Sequence, residues 1–158
     1  MKIHDRDGNV IATSNPPESR IFDGMVIHGA LLAGFELEGI SFDGSDLRGS
    51  DFTGADLYGA FLADANFEGC LLAGVDLRCS FIHNVNFRNA DLRNARFGLD
   101  QLGGGQAIYE SDYTGANLDG ADFTGATYDA LTIFPEGFDP ALRGVLLIGT
   151  PAPPIRHD

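Results

Sequence analysis

Cationic side chains are scarce in this chain: 10 Lys and Arg stand against 23 Asp and Glu, for a formal net charge of −13. A surface of that sign repels a phosphate backbone, so no direct nucleic-acid ligand is expected. Cysteine is almost as scarce. Cys70 and Cys79 are the only two, too few for the disulfide framework of a small secreted domain, and both are read as free thiols. No stretch approaches the ~18 apolar residues that a membrane-spanning helix needs, which excludes that class. With no apolar segment at the N-terminus, the expected location is the cytoplasm.

Site motifs are missing as well. The four histidines, His4, His28, His83 and His157, are scattered and offer no ligand spacing for a metal. Asp5-Arg6-Asp7-Gly8 opens like a calcium loop, but Gly8 comes two places early and no Glu follows at the twelfth position. Gly103-Gly104-Gly105 lacks both the lysine of a phosphate loop and a helix after it. With no Ser/His/Asp or paired-acid constellation in view, neither catalysis nor a cofactor is expected.

What the sequence does have is a strict period of five. Large apolar residues stand at Ile27, Leu32, Leu37, Phe42, Leu47, Phe52, Leu57, Leu62, Phe67, Leu72, Leu77, Ile82, Phe87, Leu92, Phe97 and Leu102. A helix needs a spacing near 3.6 and a strand needs 2, so a spacing of five fits neither and marks a solenoid. Two places before each centre the residue is mostly small, as at Ala30, Ser45, Ser50, Ala55, Ala60 and Cys70. Two places after it comes almost always Gly or Asn, the residues that best tolerate positive φ at a corner. The centre and the small residue then point inward and the other three face solvent, giving a four-sided tube with a dry core.

Units such as ADLYG, SDLRG, ANFEG, ADLRN, ANLDG and ADFTG resemble the A(D/N)LxG pattern of the pentapeptide-repeat family over roughly two thirds of the chain. The resemblance implies an all-β fold, a right-handed quadrilateral β-helix solenoid of about five coils with four units per coil. Residues twenty apart then stack. Ile27, Leu47, Phe67 and Phe87 share one face; Leu32, Phe52, Leu72 and Leu92 the next; Leu37, Leu57, Leu77 and Phe97 the third; Phe42, Leu62, Ile82 and Leu102 the fourth.

A single domain is expected over residues 1–158. It comprises an N-terminal cap (1–24), continuous repeats (25–102), an irregular loop or bulge (103–110), further repeats (111–130), a C-terminal cap (131–149) and a mobile tail (150–158). In the cap, Lys2 to His4 and Asn9 to Ala12 read as two strands joined by a turn at Asp7-Gly8. After Leu102 the register resumes at Tyr113, Leu118, Phe123 and Tyr128, eleven residues on rather than ten. Either Ile108 is a further centre with one residue bulged, or Gly103 to Ile108 form a six-residue loop; Asp100, at an inward place, points to a distortion that begins before Gly103. Asp139 reads as the N-cap, and Pro140 as the first residue, of a short C-terminal helical turn.

Two outward features point to a protein partner. Glu36, Asp56 and Asp76 stack as a row of carboxylates on one face. Over about 25 Å of tube the net charge is comparable to the roughly 15 charges of duplex DNA. The resemblance includes proteins that mimic DNA and bind type II topoisomerases, so DNA gyrase is the alternative partner to one of unknown identity. Against it, Asp or Asn before the centre belongs to the repeat itself, and Arg78, Arg88, Arg93 and Arg96 interrupt the acidic surface. The second feature is apolar. Leu31, Phe61, Leu71 and Phe81 stand at the outward place before a centre, and Phe61 and Phe81 are twenty apart, beside Ser41 and Gln101. This patch is a candidate contact surface for a homodimer or for a different partner.

Overall fold

The computed structural model describes residues 1–14, 16, 19–98 and 113–148, and the elements in this range are strands and isolated parallel bridges. Five-residue units pair with units one circuit away. Four ladders result, each at the place before a buried centre: Ile21, Ser41, Phe61 and Phe81; Val26, Asp46, Asn66, Asn86 and Asn117; Leu31, Asp51, Leu71, Asp91 and Asp122; and Glu36, Asp56, Asp76, Arg96 and Thr127. The chain therefore returns to the same place every four units. Backbone hydrogen bonds hold each circuit to the next, for example from Leu62 N–H to Phe81 O at 2.8 Å and from Asn66 N–H to Ser45 O at 2.8 Å.

The inward residues are those the period selects. Leu37, Phe42, Leu47, Phe52, Leu57, Leu62 and Phe67 are all 0% exposed, and burying each such side chain contributes about 1.5–3 kcal/mol. The phenyl rings pack against one another inside the tube in tilted pairs, Phe52 with Phe67 at 5.3 Å and Phe67 with Phe87 at 5.5 Å. The small inward place accepts a hydroxyl because a carbonyl waits for it. Ser45, Ser50 and Ser80 donate to the carbonyls of Phe22, Ile27 and Leu57 at 2.6, 3.1 and 2.7 Å. Cys70 does the same to Leu47 O at 3.1 Å, and burial pushes its thiol up to about 12, so it is inert as a nucleophile. Cys70 and Cys79 are both free.

The corners from Gly24 to Asn94, and again Gly115, Gly120 and Gly125, adopt the left-handed backbone, including those without glycine: Asp64, Cys79, Asn84, Asn89 and Asn94 have φ between 56° and 58°. Gly98, directly after the centre Phe97 and not itself a corner, has φ 107°, and the carboxylate of Asp129 lies so close that a Cβ there would meet it at 2.7 Å. Asp129 is itself buried but satisfied, accepting from Leu131 N–H and Thr132 Oγ1 at 3.0 Å each.

Three expectations need correction. The ladder begins one unit earlier than Met25: Ile21 already bridges Ser41, and Phe22 is fully buried. The second strand of the cap is β2, Val10–Thr13, one residue later than expected, pairing antiparallel with β1, Lys2–His4. Its docking is as expected, since Leu31 donates to His4 O at 2.9 Å and Ile3 is buried over the first coil. The third concerns register. Bridges step by twenty as far as Asp76 to Arg96, and then Asn86 pairs with Asn117, a step of 31. Asn84 donates to Thr114 O at 3.2 Å, which puts Tyr113, not Leu102, beneath Ile82. Eleven residues more than one circuit needs are thus accommodated between Phe97 and Tyr113. Leu99 to Asp112 lie outside the described residues, and with them Asp100, Gln101, Leu102 and the choice between bulge and loop; so do residues 149–158.

The C-terminal segment closes the tube with rings. Phe134 stacks on Tyr113 at 5.7 Å, Phe138 lies against Phe123 at 5.3 Å, and the two plug residues are 4.8 Å apart. Asp139 caps as expected, accepting from Ala141 and Leu142 N–H at 2.9 and 3.2 Å. Residues 140–144 form a hydrogen-bonded turn rather than a helix, ended by Gly144 at φ 75°. The chain then forms β4, Leu146–Leu147, parallel to β3, Thr127–Tyr128. Among the described residues no helix is long and apolar enough to cross a membrane.

Candidate interaction surface

The aromatic pair forms because its two residues occupy successive rungs of one ladder. Phe61 bridges Phe81, and their rings stack at 4.7 Å with 5° between planes. Phe61 is 42% exposed and Phe81 is half-buried beneath it. The rung above is Ser41 and the one above that is Ile21, 52% exposed. Carboxylates border this stripe. Ser41 Oγ donates to Asp23, Ala63 N–H donates to Asp43 at 2.8 Å, and Asn84 Nδ2 donates to Asp64 at 3.2 Å. Burial pushes the Asp43 carboxyl up against the opposing Ala63 bond, and the charges of Asp23 and Asp64 add to the rise. The surface is thus an apolar stripe with an acidic margin.

Ile21 and this margin are absent from the candidates that the sequence alone supplies. The spacing of twenty between Asp23 and Asp43, and between Ile21 and Ser41, is the signal that finds them. Leu31 and Leu71 are 37% and 39% exposed but lie two ladders away from Phe61, separated from each other by Asp51. They do not join the aromatic pair.

Glu36, Asp56 and Asp76 do stack as successive rungs, but they are not equivalent. Asp76 takes Arg78 Nη2 at 2.7 Å and Arg96 Nη1 at 3.0 Å. Burial raises its carboxyl, yet the bonds from Arg78 and the charges of both arginines outweigh that and hold it below the usual value. Asp56 accepts Tyr58 N–H at 2.9 Å. The same bond, from the carboxylate or amide before the centre to the N–H two residues on, recurs at Asp46, Asp51, Asn66, Asp91 and Asp122. Acidic and amide residues stand at this place because they hold the turn. Arginines two residues on fold back onto the same groups, Arg48 on Asp46 at 2.7 Å and Arg93 on Asp91 at 2.6 Å.

Among the described residues no group of three or more His, Cys, Asp or Glu could hold a metal. A cleft of about 370 Å³ lies at the C-terminal end, between Leu118 and Phe138.

A coil of five-residue units, capped by a strand pair at one end and plugged by rings at the other, defines a repeat architecture. Eight copies of the pentapeptide repeat match the family model, over residues 27–62 and 55–94. Residues 27–94 are therefore a run of pentapeptide repeats. No curated protein sequence matches this chain. Similar solved structures include a pentapeptide repeat protein of Nostoc PCC 7120, alr5209, at 26% identity over 82% of this chain and 86% of that one, with a TM-score of 0.46. A pentapeptide repeat protein of the Arabidopsis thaliana thylakoid lumen is 26% identical over 68% of each chain, with a TM-score of 0.42. QnrB1, a plasmid-mediated fluoroquinolone resistance protein, is 17% identical over 82% of this chain and 92% of that one, with a TM-score of 0.44.

Proposed function

We propose that this chain is a non-catalytic scaffold, a right-handed quadrilateral tube of about five coils that binds a protein through the Ile21–Phe81 ladder. The observation that carries this reading is the stacked, outward-facing pair Phe61 and Phe81 with its margin of Asp23, Asp43 and Asp64. Paired aromatics in a polar surround are the usual anchors of an interface. The carboxylate margin selects a partner that carries cations around an apolar patch.

A second reading, a DNA mimic that binds gyrase, rests on the net charge of −13 and on Glu36 and Asp56, successive rungs whose side chains form no ion pair among the described residues. The turn bonds of the other carboxylates and the arginines on Asp76 favour the aromatic wall over it.

One experiment separates the two. The immobilised parent protein, a Phe61→Ser/Phe81→Ser variant and a Glu36→Gln/Asp56→Asn variant are offered the same cell extract, and bound proteins are identified with gyrase probed among them. The aromatic variant is expected to lose the captured partner at least tenfold while the acidic variant retains it. Loss only in the acidic variant, with gyrase as the protein lost, would establish the mimic instead. Retention by both variants would remove both surfaces.

A further inference from the structure

Each upper coil is closed from below by the next. Phe67 and Gly69 donate to Asn86 O and Arg88 O at 2.8 and 2.9 Å, and Asn86 donates to Ala65 O at 3.0 Å. The adjoining ladder repeats this: Leu72 and Gly74 donate to Asp91 O and Arg93 O at 2.8 Å each, and Asp91 donates to Cys70 O at 3.0 Å. On the final coil two ladders are closed as well, by Leu146 and Ile148 donating to Ala126 O and Tyr128 O and by Tyr113 donating to Ile133 O.

The other two are open. The N–H groups of Leu118, Gly120, Phe123 and Gly125, and the carbonyls of Ala116 and Ala121, have no protein partner among the described residues. Their counterparts one coil higher are all paired, as when Phe87 and Asn89 donate to Asn117 O and Asp119 O. Four donors and two acceptors at strand spacing form a pairing template with nothing in it.

We propose that this edge, residues 116–125, is a strand-addition site for an extended peptide segment of a partner protein, which adds as the next half-turn of the tube. Main-chain bonds of this kind supply affinity, and side-chain pockets supply specificity. The pocket is the cleft of about 370 Å³ at the first half of the edge, where Leu118 and Phe138 offer an apolar seat. Asp119 and Glu136 line it as exposed carboxylates without an ion pair among the described residues, while Arg143 is turned over the Phe138 ring at 5.8 Å. A large apolar side chain followed by a basic one therefore fits the first five residues of the ligand. The tube contains such a segment already: residues 85–94, VNFRNADLRN, cover the equivalent edge of residues 65–74 in this register. The site is independent of the aromatic wall, and losing one leaves the other intact.

The probe is the acetylated, amidated decapeptide VNFRNADLRN, and the readout is amide hydrogen exchange by NMR in the full chain. In the free protein the amides of Leu118, Gly120, Phe123 and Gly125 are expected to exchange fast. Saturating peptide is expected to slow all four at least tenfold and leave Phe67 unchanged. A control peptide with proline at its second and seventh residues, which removes both donors, is expected to give no protection. Asp119→Lys, on the exposed surface, is expected to weaken the decapeptide at least tenfold without altering the protein's melting temperature. Absence of protection at saturating decapeptide, equal protection by the proline peptide, or undiminished affinity in Asp119→Lys overturns the proposal. So does a free protein that is dimeric with the four amides already protected, since a second copy then fills the edge.

Discussion

Replacing Leu57 by alanine is expected to lower stability by about 2–5 kcal/mol, or about 4–20 °C in melting temperature for a chain of this size. Leu57 is 0% exposed at the inward centre of a middle coil, with Leu37 and Leu77 at the same place in the coils on either side. Its amide donates to Asp76 O at 2.9 Å and its carbonyl accepts the Ser80 hydroxyl at 2.7 Å. The backbone around the lost side chain is thereby held on both sides, so the cavity collapses little. In a solenoid each coil is stabilised only by its neighbours, and a weakened middle coil divides the tube. Thermal unfolding measures the effect, and Glu38→Ala, on the exposed surface, is the control expected to stay within about 0.5 kcal/mol. A Leu57→Ala protein that melts with that control would place Leu57 outside the core.

The corners give the second large effect, in two grades. Gly59 has φ 62° and nothing within 4 Å of where a Cβ would stand, so Gly59→Ala tests backbone strain alone. The expected cost is about 1–2 kcal/mol, that of a left-handed L-residue. Gly120, at φ 69°, sits under a coil whose corner is Asn89, and a Cβ there would come within 2.3 Å of Asn89 Oδ1. Gly120→Ala adds the displacement of that side chain from its rotamer, about 0.5–1.5 kcal/mol more. Urea unfolding of both variants beside the parent resolves the order. Equal costs would mean that asparagine corners do not lean on the glycine corners beneath them, and a neutral Gly59→Ala would mean that the corner is not left-handed.

The inward and outward faces were legible because one period fixes both. The same count that buries Leu57 and Leu62 turns Phe61 outward and places Phe81 beneath it. Position in the unit, rather than residue type, dictates positive φ at the corners, which is why even Asp64 and Cys79 adopt it. Register past Phe97 was not legible. The five-residue count runs on through Leu102 without a break, while the pairing moves to Tyr113, and only a partner strand reveals where a count stops being a coil. The first unit, with Phe22 at its centre, was hidden by reading the polar and proline-rich stretch before it as a continuous cap.

At the candidate surface the sequence placed Glu36, Asp56 and Asp76 correctly on one ladder but not the arginines that pair with Asp76. The arginine pairs were within reach, since Asp-Leu-Arg recurs at residues 46–48, 76–78 and 91–93 and the structure folds each onto itself. Unpaired edges are different in kind. The last coil carries the same repeat as the coils above it, so nothing in residues 116–125 announces that no strand among the described residues pairs with them.

Reactivity of adjacent thiols tests the central claim, that the wall carrying Phe61 is an outward contact surface on a sealed core. In a Cys70→Ala/Cys79→Gly background, Phe61→Cys and Leu62→Cys are each treated with a maleimide, alone and with the captured partner. The account predicts that Phe61→Cys reacts near the rate of a free thiol and is slowed by the partner. Leu62→Cys, buried in the coil, is predicted to react roughly a hundredfold more slowly or less, through opening of the structure. Similar rates at the two positions, or a Phe61→Cys rate that the partner leaves unchanged, would contradict it.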